Sequence, residues 1–277
     1  MSAAAWRIGL GVRLRRAVYL GTVALVLAYV VLPLLIPVWV AFFADALITF
    51  PPRGYTLSWF ARAAASDSFL AAFWLSARLA AAATLCGLLI GVPAALAIAR
   101  GRFPGREMVN QVLLSPMMIP AVVSGCAIYL YFIEVELATD WPLAGTYGGL
   151  LVAHVLIAIP WVVRLVTASL LGMDRAIEEA SMSLGGNRWV TFRRITLPVI
   201  KPAIVAAALF GFVASFSDLE KSMFLVGPGK QVLSVAMVTY LEWQLDPTIM
   251  AVATLQIVLI GVALLVSDHY VKLSRAF

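Results

Sequence analysis

The chain has 277 residues, of which 63% are hydrophobic and only 12% charged, about half the charged share of an ordinary soluble domain. That composition excludes a water-soluble enzyme: six apolar helices of about 20 residues use roughly 120 positions and leave room for connections but not for a catalytic extramembrane domain. The net charge of +6 does not argue for nucleic acid, because in a membrane chain the placement of basic residues decides their meaning.

In chain order, a basic N-terminal segment, 1–16, precedes apolar runs over 17–43, 69–99, 108–132, 148–171, 202–217 and 249–271. Each run is read as a membrane-spanning helix. The first is longer than the 7 to 15 residue core of a cleaved signal and carries Pro33 and Pro37, so it reads as a retained helix despite the small-residue pattern Ala44, Asp45, Ala46. The fifth spans only if it begins in the preceding loop or continues past Asp218. Between it and the sixth, Met223 to Leu245 is apolar but interrupted by Gly227, Pro228, Gly229, Lys230 and Glu242, so it reads as a surface or re-entrant segment. The expected organisation is one transmembrane domain, 17–271, with a loop at 172–200, an external segment at 218–248 and a tail at 272–277.

The basic residues give an orientation. Arg7, Arg13, Arg15 and Arg16 precede the first run; Arg100, Arg102 and Arg106 follow the second. Arg175, Arg188, Arg193, Arg194 and Lys201 follow the fourth, and Lys272 and Arg275 follow the sixth. The opposite loops hold Arg53, Arg62, Lys221 and Lys230, so both termini are expected in the cytoplasm. The opposite mouth is acidic, with Glu134, Glu136, Asp218, Glu220 and Asp246 among its residues.

The loop after the fourth run has helix chemistry of its own. Met173, Ile177, Ala180 and Leu184 form an apolar stripe, and Asp174, Glu178 and Glu179 bring negative charge to the first turns, where the helix dipole favours it. Gly185 and Gly186 stop that helix. Asn187 caps a second short helix displaying Trp189, Phe192 and Ile195, with Arg193 and Arg194 in its last turn and Pro198 limiting its extension. Helices this short are marginal in water, so their apolar faces need a partner. A plainer alternative is a helix pair lying on lipid headgroups through Arg188, Arg193 and Arg194, which leaves the adjacent Glu178 and Glu179 facing an anionic surface.

Glu179, Ala180, Ser181, then Gly185, then Ile195, Leu197 and Pro198 match the Glu-Ala-Ala, Gly, Ile-x-Leu-Pro signature in spacing. By that match the chain resembles inner-membrane permease subunits of binding-protein-dependent ABC importers, with Ser181 standing where the signature has its second alanine. The resemblance implies a type I ABC importer permease fold, in which this loop docks on an ATPase with Glu179 at the contact and Gly185 permitting the turn. Glu178, Leu184 and Trp189 are expected to share that coupling surface. The run from Phe50 to Trp59, and Ser215 to Asp218 with Phe224 to Gly229 and Asp246, Pro247, Thr248, look like the spermidine/putrescine and opine permease branch. Implied partners are a second homologous permease, two cytoplasmic ATPases and an external solute-binding protein in a bacterial inner membrane. A polyamine or similar small amine is the expected solute. An opine, ferric iron, a phosphonate or a sugar is the alternative.

No cofactor is expected in this chain. Gly229 and Lys230 resemble the end of a phosphate loop, but Phe224 and Gln231 stand where Gly and Ser or Thr are needed, so ATP and Mg are left to the partner ATPase. A gradient-driven carrier would require intramembrane carboxylates, and clear mid-span acids are absent. A membrane-embedded enzyme lacks a His-Glu-x-x-His pattern or paired aspartates. Cys86 and Cys126 both lie in apolar runs, and His154 has no companion at metal-ligand spacing and reads as a hydrogen-bonded packing histidine. Arg78 and Arg164 read as snorkelling or paired residues. Pathway candidates are Asp218, Glu220, Glu134, Tyr129, Ser217 and Trp161, with Tyr129 and Tyr131 able to present ring faces to an ammonium group. Pro93, Pro116, Pro120 and Pro160 are expected to kink their helices.

Overall fold

A computed structural model of the chain describes residues 3–47 and 49–271, with side chains described over 15–47 and 49–268. The tail with Lys272 and Arg275, and the side chains of Arg7 and Arg13, lie outside the described residues. Among the described residues the structure is helical, with isolated bridges at Phe43 with Tyr55 and Gly227 with Lys230. Six of the described helices are long and apolar enough to cross a membrane.

The chain divides into two compact units, 1–63 with 244–257, and 64–243 with 258–277. The first contains α1 (Ala3–Val40) and most of α2 (Ser58–Ala65). Helix α1 begins well inside the expected N-terminal segment, and from Arg15 to Ile36 every residue is exposed. In the loop after it, the Trp59 indole donates to the Phe43 carbonyl at 2.7 Å, and Arg62 lies over the Trp59 ring while pairing with Asp246 at 3.0 Å.

The second unit is built on α3 (Asp67–Arg100), α6 (Tyr147–Gly172) and α9 (Leu197–Phe216), which pack against one another. Ser66 caps α3 by accepting from the Phe69 amide, with Asp67 in its first turn and Arg100 in its last, the charge order the dipole favours. Thr146 caps α6 in the same way. Gly87 and Gly91 let α3 approach α6 closely, since a Cβ at either would fall 2.8 Å from Ala158 Cβ or 2.7 Å from Val162 Cγ1. Below that approach Ala95, Ala99, Val162, Val166, Leu170, Ile200 and Ala207 form one buried cluster.

Two boundaries differ from the sequence expectation. The run 108–132 is not one helix: α4 (Arg106–Leu114) and a 3₁₀ turn at Ser115–Met117 precede α5 (Ala121–Thr139). Pro116 and Pro120 lack the amides needed to carry the helix through, so they break it instead of kinking it. Pro93 and Pro160 lie inside continuous helices. Pro198 does not limit the second short helix either. Helix α8 (Arg188–Thr191) passes through a π segment at Phe192–Thr196 directly into α9, giving a continuous 29-residue helix, Arg188–Phe216. The widened turn lets the Leu197 amide reach the Phe192 carbonyl and places Pro198 in the opening turn of α9, where a missing amide is tolerated. The fifth span therefore begins in the loop.

The segment between the fifth and sixth spans forms α10 (Ser222–Leu225) and α11 (Leu233–Trp243), and α12 (Thr248–Val271) follows. Eleven residues in α11 cover about 16 Å, too short to cross a bilayer. Its start is anchored where Ser76 Oγ accepts from the Leu233 amide at 2.7 Å, and Leu225, Val232 and Val235 join Leu79, Phe132, Leu150 and Ala153 in a buried cluster. The segment is packed into the unit and is not laid on its surface.

Candidate coupling surface and pathway residues

Helix α7 (Arg175–Ser183) is set by its caps: Asp174 Oδ1 accepts from the Ala176 amide at 2.9 Å, and the chain turns out at Gly185, whose φ of +87° suits glycine. Asn187 then caps α8 by accepting from the Val190 amide at 2.8 Å, as its position in the sequence predicts. Met173 is buried before α7 begins, but Ile177, Ala180 and Leu184 face outward, with Leu184 90% and Trp189 66% exposed. Glu179 is exposed on the same helix. The pair thus presents an exposed apolar face that carries one exposed carboxylate.

Glu178 points the other way. Residues adjacent on a helix lie about 100° apart, and Glu178 is turned inward, its Oε2 2.9 Å from Arg100 Nε and its Oε1 accepting from Thr196 Oγ1 at 2.6 Å. Ser181 meets Thr191 at 3.0 Å, joining α7 to α8. Ile195, Leu197 and Pro198 lie where the π segment enters α9 and so belong to the root of a span. Arg100, Arg175, Thr191 and Thr196 also contribute to this region. In the sequence the arginines carry only a topology signal, because their partners lie up to 78 positions away in the chain.

The pathway candidates are scattered in role. Glu134, Glu220, Tyr129 and Ser217 are exposed. Trp161 is half-buried and stacks on Phe210 with centroids 5.2 Å apart. Asp218 is committed internally, its Oδ2 accepting from the Ser222 amide and hydroxyl, each at 2.9 Å. Glu136 accepts from the amides of Leu143 and Ala144 and so fixes the turn after α5. Arg78 and Arg164 are exposed, and among the described residues neither pairs with an acid.

His154 is fully buried, with Nδ1 2.8 Å from Ser215 Oγ and Nε2 3.1 Å from Ser222 Oγ, so α6, α9 and α10 meet through one imidazole. This is a packing histidine with both nitrogens satisfied. His154→Leu is expected to lower the stability of the detergent-solubilised protein by about 1–3 kcal/mol, because two buried hydroxyls lose a partner. Thermal unfolding followed by tryptophan fluorescence checks this, and an unchanged midpoint contradicts the network.

Among the described residues the structure is a helical membrane bundle with an exposed helix pair at α7 and α8, an arrangement that suits a transport subunit. The chain belongs to the family of binding-protein-dependent transport system inner membrane components, whose profile matches residues 87–274. It is thus a multi-pass inner-membrane permease and not an enzyme. It is 31% identical to the putrescine transport system permease protein PotI of Escherichia coli, over 83% of this chain and 82% of that protein. It is 28% identical to the spermidine/putrescine transport system permease protein PotC of the same organism, over 90% and 91%. Its fold is similar to that of a chain of a bacterial alginate ABC transporter solved in complex with a periplasmic protein bound to an alginate pentasaccharide. That match has a TM-score of 0.73 at 19% identity, covering 95% and 96% of the two chains.

Proposed function

We propose that this ABC importer permease forms half of a translocation pathway with a second homologous permease, receives solute from an external binding protein, and is driven by two cytoplasmic ATPases that bind ATP and Mg. The observation that carries this reading is the outward face of α7 and α8, where Leu184, Ile177 and Glu179 are exposed and Trp189, though it meets the Phe192 ring with centroids 5.7 Å apart, remains 66% exposed. In this reading the loop 172–200 and both termini face the cytoplasm, as the positive residues argue. The α7–α8 pair follows movement of the ATPases and passes it to the spans rooted at α6 and α9.

The solute is a polyamine or a similar small amine. The names of PotI and PotC support this, and the exposed Glu134, Glu220 and Tyr129 suit an ammonium group. Reconstituting the permease pair with the ATPase and the binding protein in liposomes is expected to give putrescine uptake that requires ATP on the ATPase side and the binding protein on the other, with no ATP hydrolysis by this chain alone. Uptake that needs no ATP and collapses with a proton uncoupler contradicts the importer reading. Uptake of an opine, ferric iron, a phosphonate or a sugar in place of putrescine contradicts the solute alone.

A further inference from the structure

We propose that Glu178 and Arg100 are the positioning pair that ties the α7 helix to the end of α3, so that movement of the coupling surface reaches the second span directly and not only the fourth and fifth to which the loop is covalently joined. This rests on the coupling reading above and adds the route by which the motion travels.

The backbone gives α7 little rigid connection to its neighbours. After α6 ends at Gly172, Met173 and Asp174 are both extended, so the helix axis is interrupted. At the other end Leu184, Gly185 and Gly186 separate α7 from α8. Side chains hold it in place instead. Glu178 divides its two oxygens between Arg100 at the end of α3 and Thr196 at the root of α9. Arg175 donates to the Ala99 carbonyl at 2.6 Å, satisfying one of the open carbonyls at the α3 terminus, and Arg100 Nη2 reaches the Met173 carbonyl at 3.4 Å.

Packing does not do this work in their place. A cavity of about 540 Å³ lies beside the tie, lined by Leu96, Arg100, Arg175, Glu178, Met182 and Thr196 among others. The cavity also reaches Arg188, Thr191 and Phe192, so the charged pair and its hydrogen bonds are the polar contacts that span from α7 to the end of α3 beside it. Both side chains are shielded, with 19% and 16% exposure, so the attraction is screened less than that of a surface pair. The Arg100 Nε hydrogen is not aimed along the 2.9 Å line to Glu178 and makes no hydrogen bond among the described residues. We read the short distance as an ionic contact, which tolerates reorientation as the helices move.

The test uses the full reconstituted complex and reads solute transported per ATP hydrolysed, alongside copurification of the ATPase. Arg100→Glu and Glu178→Arg alone are expected to lower that ratio roughly tenfold while the ATPase still copurifies, and the double exchange is expected to restore most of it. Thr196→Val and Glu178→Gln, which perturb the tie without reversing a charge, are expected to lower it by roughly two- to fivefold. They serve if the reversals fail to assemble. An unchanged ratio in the milder variants, or a double exchange no better than the singles, overturns the proposal. If Leu184→Cys, with Cys86 and Cys126 replaced by alanine, a cysteine placed in the ATPase docking cleft and the tie unaltered, fails to cross-link to the ATPase, the coupling reading itself has failed, a result independent of the exchange.

Discussion

Gly185→Val is expected to abolish uptake while leaving the protein inserted in the membrane at its normal level. Gly185 has φ +87°, a conformation that costs a residue with a Cβ about 1–2 kcal/mol and a β-branched one more. Crowding is not the cause, for nothing lies within 4 Å of the added Cβ. What changes is the turn: the Gly185 amide donates to Met182 at 3.0 Å and the Gly186 amide to Ser181 at 3.0 Å, and relieving the strain swings α8 against α7. That angle sets how Leu184 and Trp189 are presented together. A loss of a few kcal/mol is small for a folded bundle and large for a docking surface, where each 1.4 kcal/mol is about tenfold in affinity. Glu179→Lys, on the same exposed face, is expected to give the same loss of uptake through charge reversal alone. Uptake assays paired with membrane immunoblots check both, and normal uptake by both variants removes the coupling assignment.

Gly91→Leu is expected to prevent accumulation of folded protein, a larger structural effect than any change in the loops. A Cβ at Gly91 would sit 2.7 Å from Val162 Cγ1 and 2.8 Å from Val162 Cβ, and at Gly87 it would sit 2.8 Å from Ala158 Cβ and 3.4 Å from the Ala158 carbonyl carbon. These are contacts with a short branched side chain and with backbone, which cannot swing aside. The helices must separate, and small residues at such crossings are what allow membrane helices to gain close van der Waals contact. Overpacking alone costs about 1–3 kcal/mol; here the cluster of Ala95, Val162, Val166 and Leu170 loses contact as well. Gly21→Leu, at a position with nothing within 4 Å, is the matched control and is expected to accumulate normally. Equal accumulation of the two variants in detergent extracts contradicts the close α3–α6 approach.

The spans were legible where an apolar run was unbroken: α6 lies within one residue of its expected bounds at each end and α3 within two. They were misread where proline chemistry decided the outcome. Pro116 and Pro120 divide an apolar stretch that hydropathy alone presents as one helix, and Pro198 does not stop a helix because a π turn ahead of it accommodates the missing amide. Local chemistry of the α7–α8 pair was readable from its caps, Asp174 and Asn187, and from the two glycines. The division of labour between Glu178 and Glu179 was not, because it depends on Arg100 and Thr196, which only the tertiary structure brings to one side of α7. Asp218 and Glu136, read from the sequence as acids of the outer mouth, are hydrogen-bond acceptors for nearby backbone.

The central claim, that the α7–α8 pair is gripped by an ATPase, is tested most directly by cross-linking from Leu184, the most exposed apolar residue on it. With Cys86 and Cys126 replaced by alanine and Leu184→Cys introduced, a short bifunctional thiol reagent is expected to join this chain to a cysteine placed in the ATPase docking cleft, and the thiol should be reached by impermeant maleimide only from the cytoplasmic side. Labelling from the external face, or an assembled complex in which this position joins no ATPase, contradicts the account.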